Sequence, residues 1–195
     1  MVGSLGYDEN ILMRIRNVSK VHPGVLAVSK VNMDIKKGEI HGLIGKNGAG
    51  KTTLVSLISG VISPSGGSIF IGEKEFKGLT RIEAKRLGIN IVIQEPQIIG
   101  PQTVGECLFS PNYILKTNGL IDWNEIYSKS RGILDLVGLD IDVESKMYDL
   151  SISMQQLISL IKCFYVDKSP IIILDESSAS LAESDREILF DIILD

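Results

Sequence analysis

Gly45-Lys46-Asn47-Gly48-Ala49-Gly50-Lys51-Thr52 is the stretch on which the fold turns. A glycine, four residues, then Gly-Lys-Thr is the phosphate-loop pattern, and that pattern carries weight only between a strand and a helix. The flanks offer both. Ile40, Leu43 and Ile44 form an apolar lead-in that predicts a strand, and Leu54, Leu57 and Ile58 fall at helical spacing over 51–59, with Gly60 as the stop. Glycines let the loop's amides turn inward onto phosphate while the following helix presents its positive end. Lys51 then supplies a point charge, and the Thr52 hydroxyl is a ligand for Mg²⁺.

Working outward, Val28, Val31, Met33 and Ile35 run mostly at period two and predict an earlier strand. Pro64, Gly66 and Gly67 mark a turn before a strand at 68–71, and the β-branched run 89–93 reads as another. Ile126, Ile133, Leu134 and Val137 predict a helix over 123–137 that Gly138 ends. A second helix is expected over 153–165, because Met154, Leu157, Ile158, Ile161 and Phe164 make one apolar stripe. Pro170 stops it. The run 171–174 reads as a strand covered on both faces, and helical periodicity returns over 183–194.

The 195 residues are 44% apolar and 23% charged, enough to bury a core and unlike collagen, coiled coil or disordered chain. Twenty basic against 24 acidic residues give a net charge of −4, which argues against nucleic acid as a partner. Cys107 and Cys163 lack metal-ligand spacing and read as reduced thiols. The chain has no apolar run of membrane-spanning length and no leader at residues 1–10, so a cytoplasmic location is expected.

The strand 171–174 ends in Asp175 and Glu176. Beside a phosphate loop, a carboxylate pair at a strand end suits Mg²⁺ at Asp175 and polarised water at Glu176.

Gly45 to Thr53, Gln94 after the 89–93 strand, Leu150-Ser151 opening a helix, and Asp175-Glu176 occur in the order of an ATP-binding cassette. Over nearly its whole length the chain resembles an ABC transporter nucleotide-binding domain. Within that family it looks most like the N-terminal cassette of tandem-cassette importers of ribose- and galactose-type sugars. That likeness rests on His22-Pro23-Gly24-Val25, Gly38-Glu39-Ile40-His41, Gly119-Leu120-Ile121-Asp122-Trp123 and Gln155-Gln156.

The resemblance implies an α/β fold: a P-loop NTPase core with an antiparallel β subdomain and an inserted helical subdomain. It implies one partial domain over 1–195, truncated at its C-terminus, with the helical part at about 96–165. ATP and Mg²⁺ are the implied cofactors. Gly45, Lys46, Asn47, Gly48, Ala49, Gly50, Lys51, Thr52 and Thr53 would hold phosphate, and His22 would stack on adenine. Thr52, Gln94 and Asp175 would hold Mg²⁺, with Gln94 and Glu176 acting on the attacking water. Ser151 would reach the γ-phosphate on a partner cassette, and it is also a good helix N-cap. Residues 179–182 lie where the family has its dimer-crossing loop.

The implied function is an ATPase powering a membrane importer, with a sugar as cargo and a nucleoside as the alternative. The implied partners are a second cassette, in the same chain or in a homodimer, and transmembrane permease subunits. Location is then the inner face of the cell membrane. A regulatory module with little hydrolysis is the rival reading. It is motivated by Ile152, Ser153 and Met154 in place of the two glycines and glutamine usual after the signature serine. The chain also stops at Asp195, before the family's switch histidine, so slow turnover is expected of these residues alone.

Overall fold

The computed structural model describes residues 9–92, 101–174 and 183–194. They fall into two compact units, residues 1–90 and 91–195.

The first unit is built on an antiparallel sheet. Strands β1 (Ile11–His22) and β2 (Val25–Lys36) form a hairpin, and β3 (Gly66–Ile71) and β4 (Lys74–Phe76) complete the order β2-β1-β3-β4. Met13 and Ile15 are fully buried on alternate positions of β1, and Ile15 sits opposite Met33 on one side and Ile69 on the other. The alternation breaks at a bulge. Asn17 adopts φ 51°, its N–H donates to Asn32 Oδ1 at 3.0 Å, and the Asn32 amide donates to Lys30 O at 3.0 Å. Those side chains replace the ladder bonds that the bulge removes.

Helix α1 (Lys51–Ile58) contacts β2, buries Leu54, Leu57 and Ile58, and ends at Ser59 and Gly60 as the sequence predicts. Helix α2 (Arg81–Arg86) has six residues and is held by a capping box between Thr80 and Glu83.

The lead-in to the phosphate loop does not form the strand that its apolar residues predict. Residues 39–46 carry no strand, and Ile40, Leu43 and Ile44 are exposed, Ile44 by 96%. A run of this composition becomes a buried strand only where neighbours take up its backbone groups, and no described strand pairs with it.

In the second unit, α3 (Val104–Phe109), α4 (Trp123–Leu136) and α5 (Ile152–Ile161) enclose a core. Val104, Leu108, Ile126, Leu134, Leu157 and Ile158 are its buried centre. Helix α5 continues into a π-helical turn, Lys162–Val166, so the helix expected to 165 changes its winding at 162. From that turn Lys162 Nζ donates to Cys107 O at 3.0 Å and to Ser110 O, tying down the last carbonyls of α3. The end of β5 (Ile89–Val92) and β6 (Ile171–Leu174) form a two-stranded sheet, and α6 (Glu183–Leu194) follows. β6 is less enclosed than expected: Ile171 is buried, Ile172 and Ile173 are half-buried, and Leu174 is exposed. Two described strands leave it fewer neighbours than full enclosure requires.

Candidate functional site

Local sequence bends the phosphate loop. Gly48 has φ 79° and Gly50 φ 90°, left-handed conformations that side chains rarely adopt. Gly50 is also the N-cap of α1, and a Cβ there would stand 2.3 Å from Ala27 O on β2. Only glycine permits that approach. The Ala49 N–H donates to Lys46 O at 3.1 Å, closing the turn, and Lys51 folds back so that Nζ donates to Gly45 O at 2.7 Å and Lys46 O at 3.1 Å. The ammonium therefore sits over the loop at a helix N-terminus, where a phosphate group gains from both.

Beside the loop lies a cleft of about 770 Å³. Ala49, Gly50 and Lys51 form one side, β2 from Leu26 to Asp34 forms another, and His41, Leu43 and Ile44 contribute from the segment between them. Its volume is that of a small-molecule site. The polar wall residues Asn32, Asp34 and His41 were absent from the sequence-derived site. Asn32 and Asp34 stand on an irregular strand that the approach of β2 to Gly50 brings to the loop, and His41 lies in the segment that leads into it. The His41 ring nitrogen lies 2.8 Å from Glu39 Oε1, and that hydrogen bond, with one from the Lys36 N–H, holds the Glu39 carboxyl below the usual carboxylate range.

The structure treats the expected residues unequally. His22 ends β1, exposed and opposite Val25, and is not among the residues lining the cleft. Thr52 and Thr53 open α1. In the second unit Ser151 is the N-cap of α5: its Oγ accepts from the Met154 N–H at 3.2 Å and lies 2.9 Å from Ser153 Oγ. Met154 packs against the apolar core, and buried Gln155 donates to Met147 O and Leu150 O, each at 2.9 Å. Gln94, Asp175, Glu176 and the segment 179–182 lie outside the described residues. Among the described residues no cluster of His, Cys, Asp and Glu is placed to hold a metal ion.

A family model described as "ABC transporter" matches residues 28–179, which takes in the phosphate loop, most of the cleft lining and the whole of α5. The chain belongs to the ABC transporter family. Its relatives include the xylose import ATP-binding protein of Geobacillus kaustophilus, 39% identical over 190 residues, which are 96% of this chain and 37% of that protein. The arabinose import ATP-binding protein of Rhizobium etli is 38% identical over 93% of this chain and 36% of its own length. The cassette thus spans little more than a third of the length of these relatives. Among solved structures, a nucleotide-free ATP-binding cassette from an ABC transporter superposes with a TM-score of 0.77 at 23% identity, over 94% of this chain and 76% of that one. The fold expected from the sequence is therefore that of the family, with an antiparallel sheet and a mixed set of helices.

Proposed function

We propose that this ABC cassette binds and hydrolyses ATP to power a membrane importer whose cargo is a sugar. The observation that carries it is the phosphate loop: left-handed Gly48 and Gly50, with Lys51 folded over the turn, in a chain related to sugar import ATP-binding proteins. The loop amides and Lys51 hold the phosphates, and Thr52 with Asp175 and Gln94 holds Mg²⁺, which screens charge on the transferred group. Glu176 orients the attacking water, so catalysis is positioning and charge stabilisation. Ser151 acts on nucleotide held by a second cassette, and the permease subunits place the assembly at the inner face of the membrane. Residues 1–195 act as one cassette domain with its helical part at about 96–165.

One observation favours the alternative, a nucleotide-binding module that closes without useful turnover. Met154, at a signature position where the family usually has a polar side chain, is packed against the core and offers no side-chain donor.

Thermal unfolding with and without Mg²⁺-ATP tests the proposal. Ligand at about 100 times its Kd adds about 2.7 kcal/mol, which for a chain of this size raises Tm by about 5–10 °C. The rise should saturate with ATP and vanish in Lys51→Ala. The absence of any rise in the unsubstituted protein at millimolar ATP would overturn the proposal. A rise without turnover in the complete protein would select the module.

A further inference from the structure

Two Asn-Gly pairs occur in the chain, Asn47-Gly48 in the phosphate loop and Asn118-Gly119 in the loop before α4. Asparagine followed by glycine is the dipeptide most open to attack of the backbone on its own side chain, because glycine has no Cβ to hinder the ring that forms. Whether a given pair reacts depends on whether the glycine N–H and the carboxamide are free to meet.

The structure separates the two pairs. The Gly119 N–H donates to Lys116 O at 2.9 Å, and Asn118 Oδ1 accepts from the Leu120 N–H at 3.2 Å, so both reacting groups are engaged. At the phosphate loop Asn47 is exposed, and among the described residues neither its carboxamide nor the Gly48 N–H has a hydrogen-bond partner. Among the described residues, apart from its chain neighbours, nothing lies within 4 Å of where a Gly48 Cβ would stand, so the turn is open on that side.

We infer that Asn47 is a self-modification site, deamidating through a succinimide when the loop is free of nucleotide and thereby disabling phosphate binding. The Gly48 nitrogen, losing its proton to solvent base, attacks Asn47 Cγ. The new N–C bond displaces the side-chain amide nitrogen, which leaves as ammonia after taking up a proton. Water then opens the imide. Opening at the side-chain carbonyl gives aspartate, and opening at the main-chain carbonyl gives isoaspartate, in which the backbone runs through an added methylene. No oxidant or cofactor is consumed.

Either product places a negative charge in a loop arranged to receive an anion, and isoaspartate also lengthens the turn that aims the amides. Bound ATP blocks the reaction, since a loop amide donated to phosphate is no longer free to lose its proton and attack. This protective part rests on the phosphate-loop reading above, whereas the contrast between the two pairs does not.

The protein is aged at mildly alkaline pH with and without Mg²⁺-ATP, then digested and read by mass spectrometry. Isoaspartate is counted by methyl transfer from an isoaspartyl methyltransferase. The expected result is conversion at residue 47 running ahead of residue 118, slowed by Mg²⁺-ATP at 47 only. Aged protein and Asn47→Asp should each lose about tenfold or more in ATP affinity, the scale of one like charge close to a phosphate group. Equal conversion at both pairs, or faster conversion at 118, overturns the inference. So does full ATP affinity in the converted protein. If fresh protein binds no ATP the proposed function fails instead, and the ratio of conversion at 47 and 118 still tests the self-modification.

Discussion

Arg16 and Asp34 form an ion pair at the cleft wall. Asp34 lines it from β2, and Arg16 reaches across from β1, its Nη1 also donating to Ile15 O at 2.9 Å and Met33 O at 3.3 Å. The Arg16 hydrogen bond is the main cause that holds the Asp34 carboxyl below its ordinary range, and the nearby charges of Arg16, Arg14 and Lys36 add to it. A carboxyl depressed in the folded state stabilises the fold above its unfolded value and loses that contribution as pH falls through the lower folded value. Asp34→Asn should therefore be less stable than the parent at neutral pH, with the gap closing below about pH 4, where the unfolded carboxyl takes up its proton. Urea midpoints measured across that range check it. A gap that stays constant into acid would assign the loss to packing and not to charge.

At the scale of elements, α3 and α4 meet through a missing side chain. A Cβ on Gly105 would stand 2.6 and 2.8 Å from the Tyr127 ring, and that ring is stacked on Trp123 at 6.2 Å, with Tyr113 edge-on to Trp123 at 5.6 Å. Gly105→Ala should cost about 1–3 kcal/mol, as overpacking does, and Tyr127→Leu should relieve it, with a coupling of at least about 0.5 kcal/mol in the double variant. Additive losses by denaturant unfolding would mean that the two helices do not meet there. Elements of this length were legible in the sequence: α4, α5 and α6 carry enough turns for an apolar stripe to repeat. Helices α2 and α3 have six residues each, too few for a period, and their only signals are the capping boxes Thr80 to Glu83 and Thr103 to Glu106. Strand β1 was hidden by its own bulge, since Asn17 interrupts the alternation that Met13 and Ile15 begin. The run 40–44 misled in the opposite sense, because apolar composition records what a strand needs and not whether a ladder partner is present. The phosphate loop was readable because its residues are consecutive. Its β2 wall depends on the contact of Ala27 with Gly50, which no spacing encodes.

For the molecule as a whole, charge sets which polyanions approach. Twenty basic and 24 acidic residues leave the chain at −4, so its long-range field repels a nucleic acid duplex. The attraction of Lys51 and the loop amides is local, fading within a Debye length of about 8 Å at physiological salt. A triphosphate is small enough to bring its charge inside that distance. A duplex spreads its charge along a line, so most of its phosphates would meet the acidic average of the surface before any reached the loop. Mg²⁺-ATP should therefore raise the melting temperature at physiological salt while duplex DNA leaves it unchanged. A DNA-induced rise that disappears as salt is increased would show phosphates neutralised by a basic face, since counterion release gives binding that salt dependence. That outcome would turn the assignment from an importer subunit toward a cassette that works on nucleic acid.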